Sequence, residues 1–126
     1  MRIAKEYHFD AAHSLPGDMG KCSHLHGHTW TVTLGVEGVL NGDGMVLDFR
    51  ALKDLWRFID DLCDHKNLNE LFPNPTAENL VLVFGGMMVR ELLGKHLNLS
   101  HVYVRVQEGT GGWAEDSIPI SEGRIH

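Results

Sequence analysis

Residues 22–34 read CSHLHGHTWTVTL, and this stretch combines a strand pattern with one thiol and three imidazoles. Successive side chains of a β-strand point to opposite faces, so His26 and His28 are predicted to project from one face about 7 Å apart. Two imidazoles at that spacing can reach one metal ion. Gly27, between them, places no side chain on the opposite face. The stretch therefore predicts a strand with a metal site at its start, and a histidine-rich surface loop is the alternative.

Residues 2–13 also alternate between apolar and polar side chains. They predict another strand, which comes before the strand at His26 in the chain. Its apolar face continues to His13. If the two strands pair as an antiparallel hairpin, the end of one lies beside the start of the other. His13 then meets His26 and His28, unless it is only a core histidine. Three histidines without a fourth protein ligand match an open zinc site, in which water or a substrate oxygen completes the coordination.

Cys22 lies four residues before His26 and follows Lys21. A thiolate ligand would close the zinc site, so we expect Cys22 to act instead as a general base. Zinc, Lys21 and the imidazoles would lower the pKa of its thiol towards neutral. A small core residue is the alternative reading of Cys22. His24 shares the parity of His26, but it lies at the strand margin and is ranked behind the other histidines.

Two helices are predicted in the middle of the chain. Asp48 is expected to cap the first helix, and Thr76 the second. The first apolar stripe is Leu52, Leu55, Ile59 and Leu62, and the second is Leu80, Val83, Phe84 and Met87. Residues 66–69 between the helices are expected to form a loop. The glycine pair 85–86 indicates close packing of the second helix.

Two further strands are predicted near the end of the chain. Residues 99–106 carry three valines on one face, and Glu108 continues that face. A carboxylate there is costly unless it meets a donor, and a solvated strand end is the alternative. Residues 113–118 predict a weaker last strand. The order ββααββ indicates an α+β domain with a four-stranded antiparallel sheet and both helices on one face.

The composition narrows the possible functions. The 126 residues are 43% apolar with a net charge of −6, which suits one globular domain over residues 1–126 and argues against general nucleic-acid binding. No apolar run of 18 residues predicts a membrane span. Two cysteines, one of them among histidines, indicate a reduced, cytoplasmic setting rather than a disulfide scaffold.

Asp64 and His65 are a second candidate for proton handling. A carboxylate can hold a neighbouring imidazole in one tautomer and raise its basicity, although helix ends often carry such polar pairs without function. A metal-polarised hydroxyl, the Cys22 thiolate and this pair together suggest lyase or isomerase chemistry next to a carbonyl or imine. A zinc hydrolase is the weaker alternative, because it leaves Cys22 without a task.

Six segments, taken in order, resemble one known family. They are FDAAH at 9–13, CxxxHGH at 22–28, MVLDF at 45–49, LCDHxxLN at 62–69, PTAEN at 75–79 and VRVQE at 104–108. The ordered set resembles the 6-pyruvoyltetrahydropterin synthase family, and within it the bacterial 6-carboxytetrahydropterin synthases. The three-residue gap between Cys22 and His26 is similar to that of the carboxy branch.

The resemblance implies roles for particular residues. The zinc ligands that it implies are His13, His26 and His28. It also implies Cys22 as the proton acceptor, Asp64 with His65 as the relay, and Glu108 as a catalytic residue that anchors the pterin ring through its amino and ring N–H groups. Gly109 departs from the family, which usually has threonine there, and Thr110 is expected to compensate. Lys21 and Lys66 are candidates for contacting the triphosphate.

The implied reaction converts 7,8-dihydroneopterin triphosphate to 6-carboxy-5,6,7,8-tetrahydropterin, with loss of triphosphate and acetaldehyde, on the route to queuosine and other deazapurines. The resemblance also implies the tunnelling fold, in which small sheets join into barrels, and hence a homohexamer. The nearest alternatives are the pyruvoyl-forming synthase and a homologue that cleaves the side chain to a hydroxymethyl group. A non-catalytic metal- or pterin-binding module is the alternative from another class.

Overall fold

A computed structural model describes residues 1–15, 20 and 23–121 of the chain. The strands are β1 (Arg2–His13), β2 (His26–Gly38), β3 (Lys66–Asn67), β4 (Leu99–Glu108) and β5 (Trp113–Pro119). The α-helices are α1 (Phe49–Cys63) and α2 (Ala77–Leu92), and a short 3-10 helix covers Leu68–Glu70. The five strands form one sheet in the order β3-β1-β2-β4-β5.

The prediction of a four-stranded, purely antiparallel sheet is wrong in one respect. Residues 66 and 67, expected as a loop, form β3, which pairs in parallel with β1 at Ala11 and Ala12. The other strand pairs are antiparallel. Two residues are too few to show alternation in a sequence. They become a strand because the chain that leaves α1 runs along the edge of β1.

One face of the sheet carries the core. Trp30, Val32, Leu34 and Val36 of β2 are 0% exposed, and so are the three valines predicted on β4. Full burial of one such side chain stabilises the fold by roughly 1.5–3 kcal/mol, and a slip by one residue would expose the whole row. The register of these strands is therefore strongly fixed. His13 lies at the end of the same face and is also fully buried.

Both helices begin at the predicted caps. The Asp48 side chain accepts from the backbone N–H of Arg50, and the Thr76 side chain accepts from that of Asn79. The buried stripes are rotated by about one residue from the prediction, because α1 buries Trp56 in place of Leu55 and α2 buries Met88 in place of Met87. No helix within the described residues is long and apolar enough to cross a bilayer.

Aromatic packing explains the rotation of α1. The Trp56 ring stacks on Tyr7 of β1 with centroids 4.9 Å apart, and it also contacts Phe9. On α2 the expected close packing occurs at Gly85, where a Cβ would collide with Ile118 of β5, but not at Gly86, which faces open space. These contacts place both helices on the core face of the sheet.

Candidate metal centre

The strand register brings the three predicted histidines together. β1 and β2 pair with His13 opposite His26 and with Ala11 opposite His28. The ring centroids are 4.6 Å apart for His13 and His26, 4.7 Å for His26 and His28, and 5.4 Å for His13 and His28. The hairpin register predicted from alternation is confirmed. The role of the rings as metal ligands stays a prediction.

Glu108 reaches the same place from β4, where it lies opposite Trp30 of β2. Its Oε1 atom is 2.8 Å from His13 Nε2, 2.9 Å from His28 Nε2 and 4.0 Å from His26 Nε2. One ligand atom from each of the four residues lies within 4.8 Å of the others. The sequence predicted three ligands and a separate carboxylate, whereas the structure places the carboxylate among the imidazoles.

Backbone carbonyls orient two of the histidine rings. His13 Nδ1 donates to the carbonyl of Pro75, and His26 Nδ1 donates to that of His24, each at 2.8 Å. A carbonyl only accepts, so both rings carry a proton on Nδ1 and, when neutral, present a lone pair at Nε2. A lone pair on His13 Nε2, 2.8 Å from the Glu108 carboxylate oxygen, requires a cation or an extra proton between the two atoms. This donor set fits a metal ion.

The third ring supports the same conclusion. His28 Nε2 is buried and makes no hydrogen bond, because its 2.9 Å approach to Glu108 lacks hydrogen-bond geometry. Burial lowers the pKa of His28; the Glu108 carboxylate opposes this effect, and His26 and His13 add to it. Metal binding requires a neutral imidazole, so a lowered pKa favours the ligand form.

Trp30 forms the inner wall of the centre and was not singled out from the sequence. Its ring meets His13 and His28 edge-on, with centroids at 4.8 and 5.7 Å, and its Nε1 donates to the carbonyl of Ala11. This aromatic layer separates the polar cluster from the apolar core. The sequence does indicate this position, because residues 28 and 30 lie two apart on one strand and so share a face.

The Asp64–His65 pair lies at the edge of β1. Asp64 ends α1; its Oδ2 is 2.8 Å from His65 Nδ1, and its Oδ1 accepts from the backbone N–H of Asp10. The hydrogen bond from Asp10 is the main cause that lowers the pKa of Asp64, with a smaller contribution from His65. The carboxylate therefore stays charged and can hold the His65 ring in one tautomer.

His65 has an unusual backbone. Its φ is 58°, in the left-handed region, and its N–H donates to the carbonyl of Asp10. Left-handed backbone is several-fold enriched for histidine and asparagine, and such residues cluster at functional sites. The side chain is 78% exposed, so the imidazole is free to meet a substrate or another chain.

Two open grooves meet at residues 27–29, beside the metal centre. One, of about 690 Å³, is lined by His28 on one side and by His65 and Lys66 on the other. The second, of about 770 Å³, runs from His28 and Glu108 along residues 109–112, and Thr110 lines it. Of the predicted residues, His65 lines the first groove, Glu108 and Thr110 line the second, and His28 lines both.

The predictions for Cys22, Lys21 and Gly109 have different outcomes. Cys22 and Lys21 lie outside the described residues, so their roles stay predictions. Gly109 has a φ of 56°, which favours glycine, whereas a Cβ there would make only an ordinary contact with His28. Backbone conformation therefore explains why glycine follows Glu108.

Comparisons with known proteins point to one family. The model of a family described as 6-pyruvoyl tetrahydropterin synthase matches residues 2–117. A protein of Archaeoglobus fulgidus, provisionally named 6-carboxy-5,6,7,8-tetrahydropterin synthase, is 40% identical over 107 residues, which are 85% of this chain and 87% of that protein. Other relatives carry the same name without that qualifier.

Another relative has a different named activity. A Pyrococcus furiosus protein named dihydroneopterin monophosphate aldolase is 37% identical over 93 residues, which are 74% of this chain and 79% of that protein. The fold matches the solved structure of Plasmodium falciparum 6-pyruvoyl tetrahydropterin synthase, with a TM-score of 0.78 and 18% identity over 94% of this chain and 98% of that one.

Proposed function

The chain belongs to the 6-pyruvoyl tetrahydropterin synthase family, and from this premise we propose that it is a zinc-dependent lyase. Its reaction converts 7,8-dihydroneopterin triphosphate and one water molecule to 6-carboxy-5,6,7,8-tetrahydropterin, with release of triphosphate and acetaldehyde. The observation that carries the proposal is the convergence of three imidazoles on Glu108 at the end of the core face.

His13, His26 and His28 would hold Zn²⁺, with the Glu108 carboxylate within reach of the same ion. Imidazole nitrogen and carboxylate oxygen are both common zinc ligands. A bound zinc supplies Lewis acidity, which polarises a hydroxyl or carbonyl oxygen of the substrate. The carbonyls of Pro75 and His24 keep two of the rings directed at that position.

Glu108 binds the pterin ring in this proposal. A carboxylate only accepts hydrogen bonds, and a pterin ring offers amino and ring N–H donors, so the two are complementary. Because Glu108 lies among the histidines, a ring bound to it has its side chain next to the metal position. Thr110 lines the same groove and is proposed as a second contact, with Lys21 near the triphosphate.

Proton transfer falls to the chain's other groups. Cys22 takes a proton from a side-chain carbon of the substrate, and His65, held by Asp64, returns one. Two features support the relay: the short contact between His65 and Asp64, and the groove that His65 shares with His28. A carboxylate that stays charged stabilises the imidazolium formed when the ring accepts a proton.

A second candidate is the cleavage of the substrate side chain to a hydroxymethyl group. The similarity to the Pyrococcus furiosus protein favours it, because that protein is named an aldolase that acts on dihydroneopterin monophosphate. An aldolase cleaves a carbon–carbon bond. The pyruvoyl-forming reaction is a third outcome that the same residues could support. A module that binds zinc or pterin without catalysis is the alternative from another class.

One experiment separates these functions. Purified protein of measured zinc content is supplied with dihydroneopterin triphosphate or monophosphate, and the pterin product and acetaldehyde are identified. The proposal expects 6-carboxytetrahydropterin, acetaldehyde and triphosphate, with turnover lost and zinc kept in Cys22→Ala. A hydroxymethyl or pyruvoyl pterin would support the other enzymes. Bound zinc without turnover, unchanged by Cys22→Ala, would support the non-catalytic module.

The cellular setting and the assembly are also proposals. We place the enzyme in the cytoplasm, on the route to queuosine. We propose a homohexamer, which the resemblance to the family implies. The open edges support association: within the described residues β3 covers β1 only at Ala11 and Ala12, and β5 forms the other edge of the sheet. Such edges can pair with other copies. Light scattering on the purified protein would give the number of chains.

A further inference from the structure

His13 is held from a distant part of the chain. Its side chain is fully buried, and its Nδ1 donates to the carbonyl of Pro75, 62 residues away. His26, by contrast, donates to the carbonyl of His24, two residues away. The orientation of His13 therefore depends on the turn of residues 74–76 before α2, whereas the orientation of His26 is local to β2.

That turn is fixed by the side chains of two residues. Asn79 Nδ2 donates to the carbonyl of Asn74 at 2.8 Å, and the backbone N–H of Thr76 donates to the same carbonyl at 2.9 Å. The Thr76 hydroxyl accepts from the backbone N–H of Asn79 at 3.0 Å. Pro75, between these clamps, is buried and has a restricted φ. Its carbonyl has little freedom to turn away from His13.

We infer that Asn79 is a positioning residue of the metal centre, which acts through the carbonyls of Asn74 and Pro75 on the ring of His13. The inference rests on the proposed metal site. The clamp keeps the proton of His13 on Nδ1 and directs Nε2 towards Glu108. The outer-shell partner of His13 is the carbonyl of Pro75, and loss of such a partner typically weakens metal binding by about 10–100-fold.

Asn79→Asp separates this role from simple helix stabilisation. Asn79 lies in the first turn of α2, where a carboxylate is favourable because of the helix dipole. The carboxylate that replaces the amide has no N–H to donate to the carbonyl of Asn74, so this hydrogen bond is lost, while the two made by Thr76 and the helix itself are kept. Asp48→Ala is the matched control, since Asp48 caps α1 and has none of its hydrogen bonds to a histidine.

The test measures Zn²⁺ affinity by competition with a chromophoric chelator, together with thermal unfolding of the metal-free proteins. Asn79→Asp is expected to bind Zn²⁺ about 10–100-fold more weakly than the wild type, with an unfolding midpoint equal to or above that of the wild type. Asp48→Ala is expected to unfold at lower temperature, with Zn²⁺ affinity within about twofold of the wild type. Equal Zn²⁺ affinity of Asn79→Asp and the wild type would overturn the inference, and so would equal weakening by Asp48→Ala.

Nitrogen-15 NMR of the metal-free protein tests the positioning role of Asn79 separately from the proposed function. In the wild type His13 is expected to carry a proton on Nδ1 in all molecules, whether or not Nε2 is also protonated, and in Asn79→Asp in only part of them. If the wild type binds no Zn²⁺, the proposed function fails, but the tautomer comparison still tests the clamp. An unchanged His13 tautomer in Asn79→Asp would show that Asn79 does not position the ring.

Discussion

The metal centre and the Asp64–His65 pair both contribute side chains to the two adjoining grooves but are held in place by different means. The histidines project from two long strands that are paired at twelve positions, so their spacing follows from the register of the whole hairpin. Asp64 and His65 lie between a helix end and a two-residue strand, and hydrogen bonds to the backbone of Asp10 hold them. The first region is therefore held by the pairing of two whole strands, and the second by a few hydrogen bonds.

In the proposed mechanism, the first region binds zinc and the second transfers protons. Rings with defined neighbours, one of them fully buried, suit a metal because ligand directions must not change. An exposed imidazole on a strained backbone suits a group that must reach its partner and change protonation. Substitutions in the two regions should therefore affect zinc content and turnover in different ways.

The largest effect is expected from His28→Ala. It removes one of the three imidazoles, so zinc content should fall from about one per chain to near zero and turnover should be lost. The same substitution removes a buried, unpaired nitrogen, so the metal-free protein should remain folded. Zinc at about 1,000 times its dissociation constant should stabilise the wild type by about 4 kcal/mol but not the variant. Metal analysis and thermal unfolding check this, and a variant that keeps its zinc would remove His28 from the site.

His65→Asn should affect turnover without affecting zinc. Asparagine tolerates the left-handed backbone at this position, so the fold should be retained. Loss of the proton-transferring group is expected to lower turnover by about 10²–10⁴-fold. Steady-state kinetics with parallel metal analysis measures both quantities. Wild-type turnover in the variant would exclude His65 from the relay and would leave the two regions functionally unconnected.

Glu108→Gln tests whether Glu108 binds the pterin ring, the zinc ion or both. Glutamine keeps the size of the side chain but places an N–H group towards the pterin donors, so KM should rise by roughly 100-fold. Zinc content should stay near one per chain if the histidines are sufficient to hold the ion. A loss of zinc in this variant, measured alongside KM, would instead make Glu108 a metal ligand.

The smallest effect is expected on stability at low pH. The pKa of Asp64 in the folded chain is lowered by the N–H of Asp10 and by His65. The stability that Asp64 contributes is therefore complete above the unfolded-state pKa of about 3.9 and is lost as the pH falls through the lower folded pKa. Asp64→Asn should flatten this part of the pH profile. Urea unfolding between pH 3 and pH 7 measures it, and parallel profiles would contradict the assignment.

The sequence predicts the first region better than the second for a physical reason. Alternation extends over twelve residues of β1 and thirteen of β2, so the face of each histidine and the hairpin register could be inferred. The arrival of Glu108 among the histidines depends on the β2–β4 register, which a pattern in one strand does not contain. The hydrogen bond from His13 to the carbonyl of Pro75 joins distant parts of the chain through a backbone atom, so side-chain periodicity cannot predict it.

The second region has no periodicity to read. β3 is two residues long, and His65 adopts a left-handed backbone where its N–H bonds to Asp10, a contact that its residue type alone does not predict. The helix stripes were predicted in position but not in rotation, because the stacking of Trp56 on Tyr7 decides which side of α1 faces the sheet. The Asp64–His65 pair can be identified from the sequence because its two residues are adjacent. The residues that surround the pair cannot be identified in this way.

Zinc K-edge X-ray absorption on the zinc-loaded protein tests the central claim most directly. The proposed site predicts three imidazole nitrogens at about 2.0–2.1 Å, oxygen in the remaining position, and no sulfur. A sulfur shell at about 2.3 Å would make Cys22 or Cys63 a ligand and would remove the free thiolate on which the proposed chemistry depends. Fewer than three imidazoles would contradict the metal centre itself.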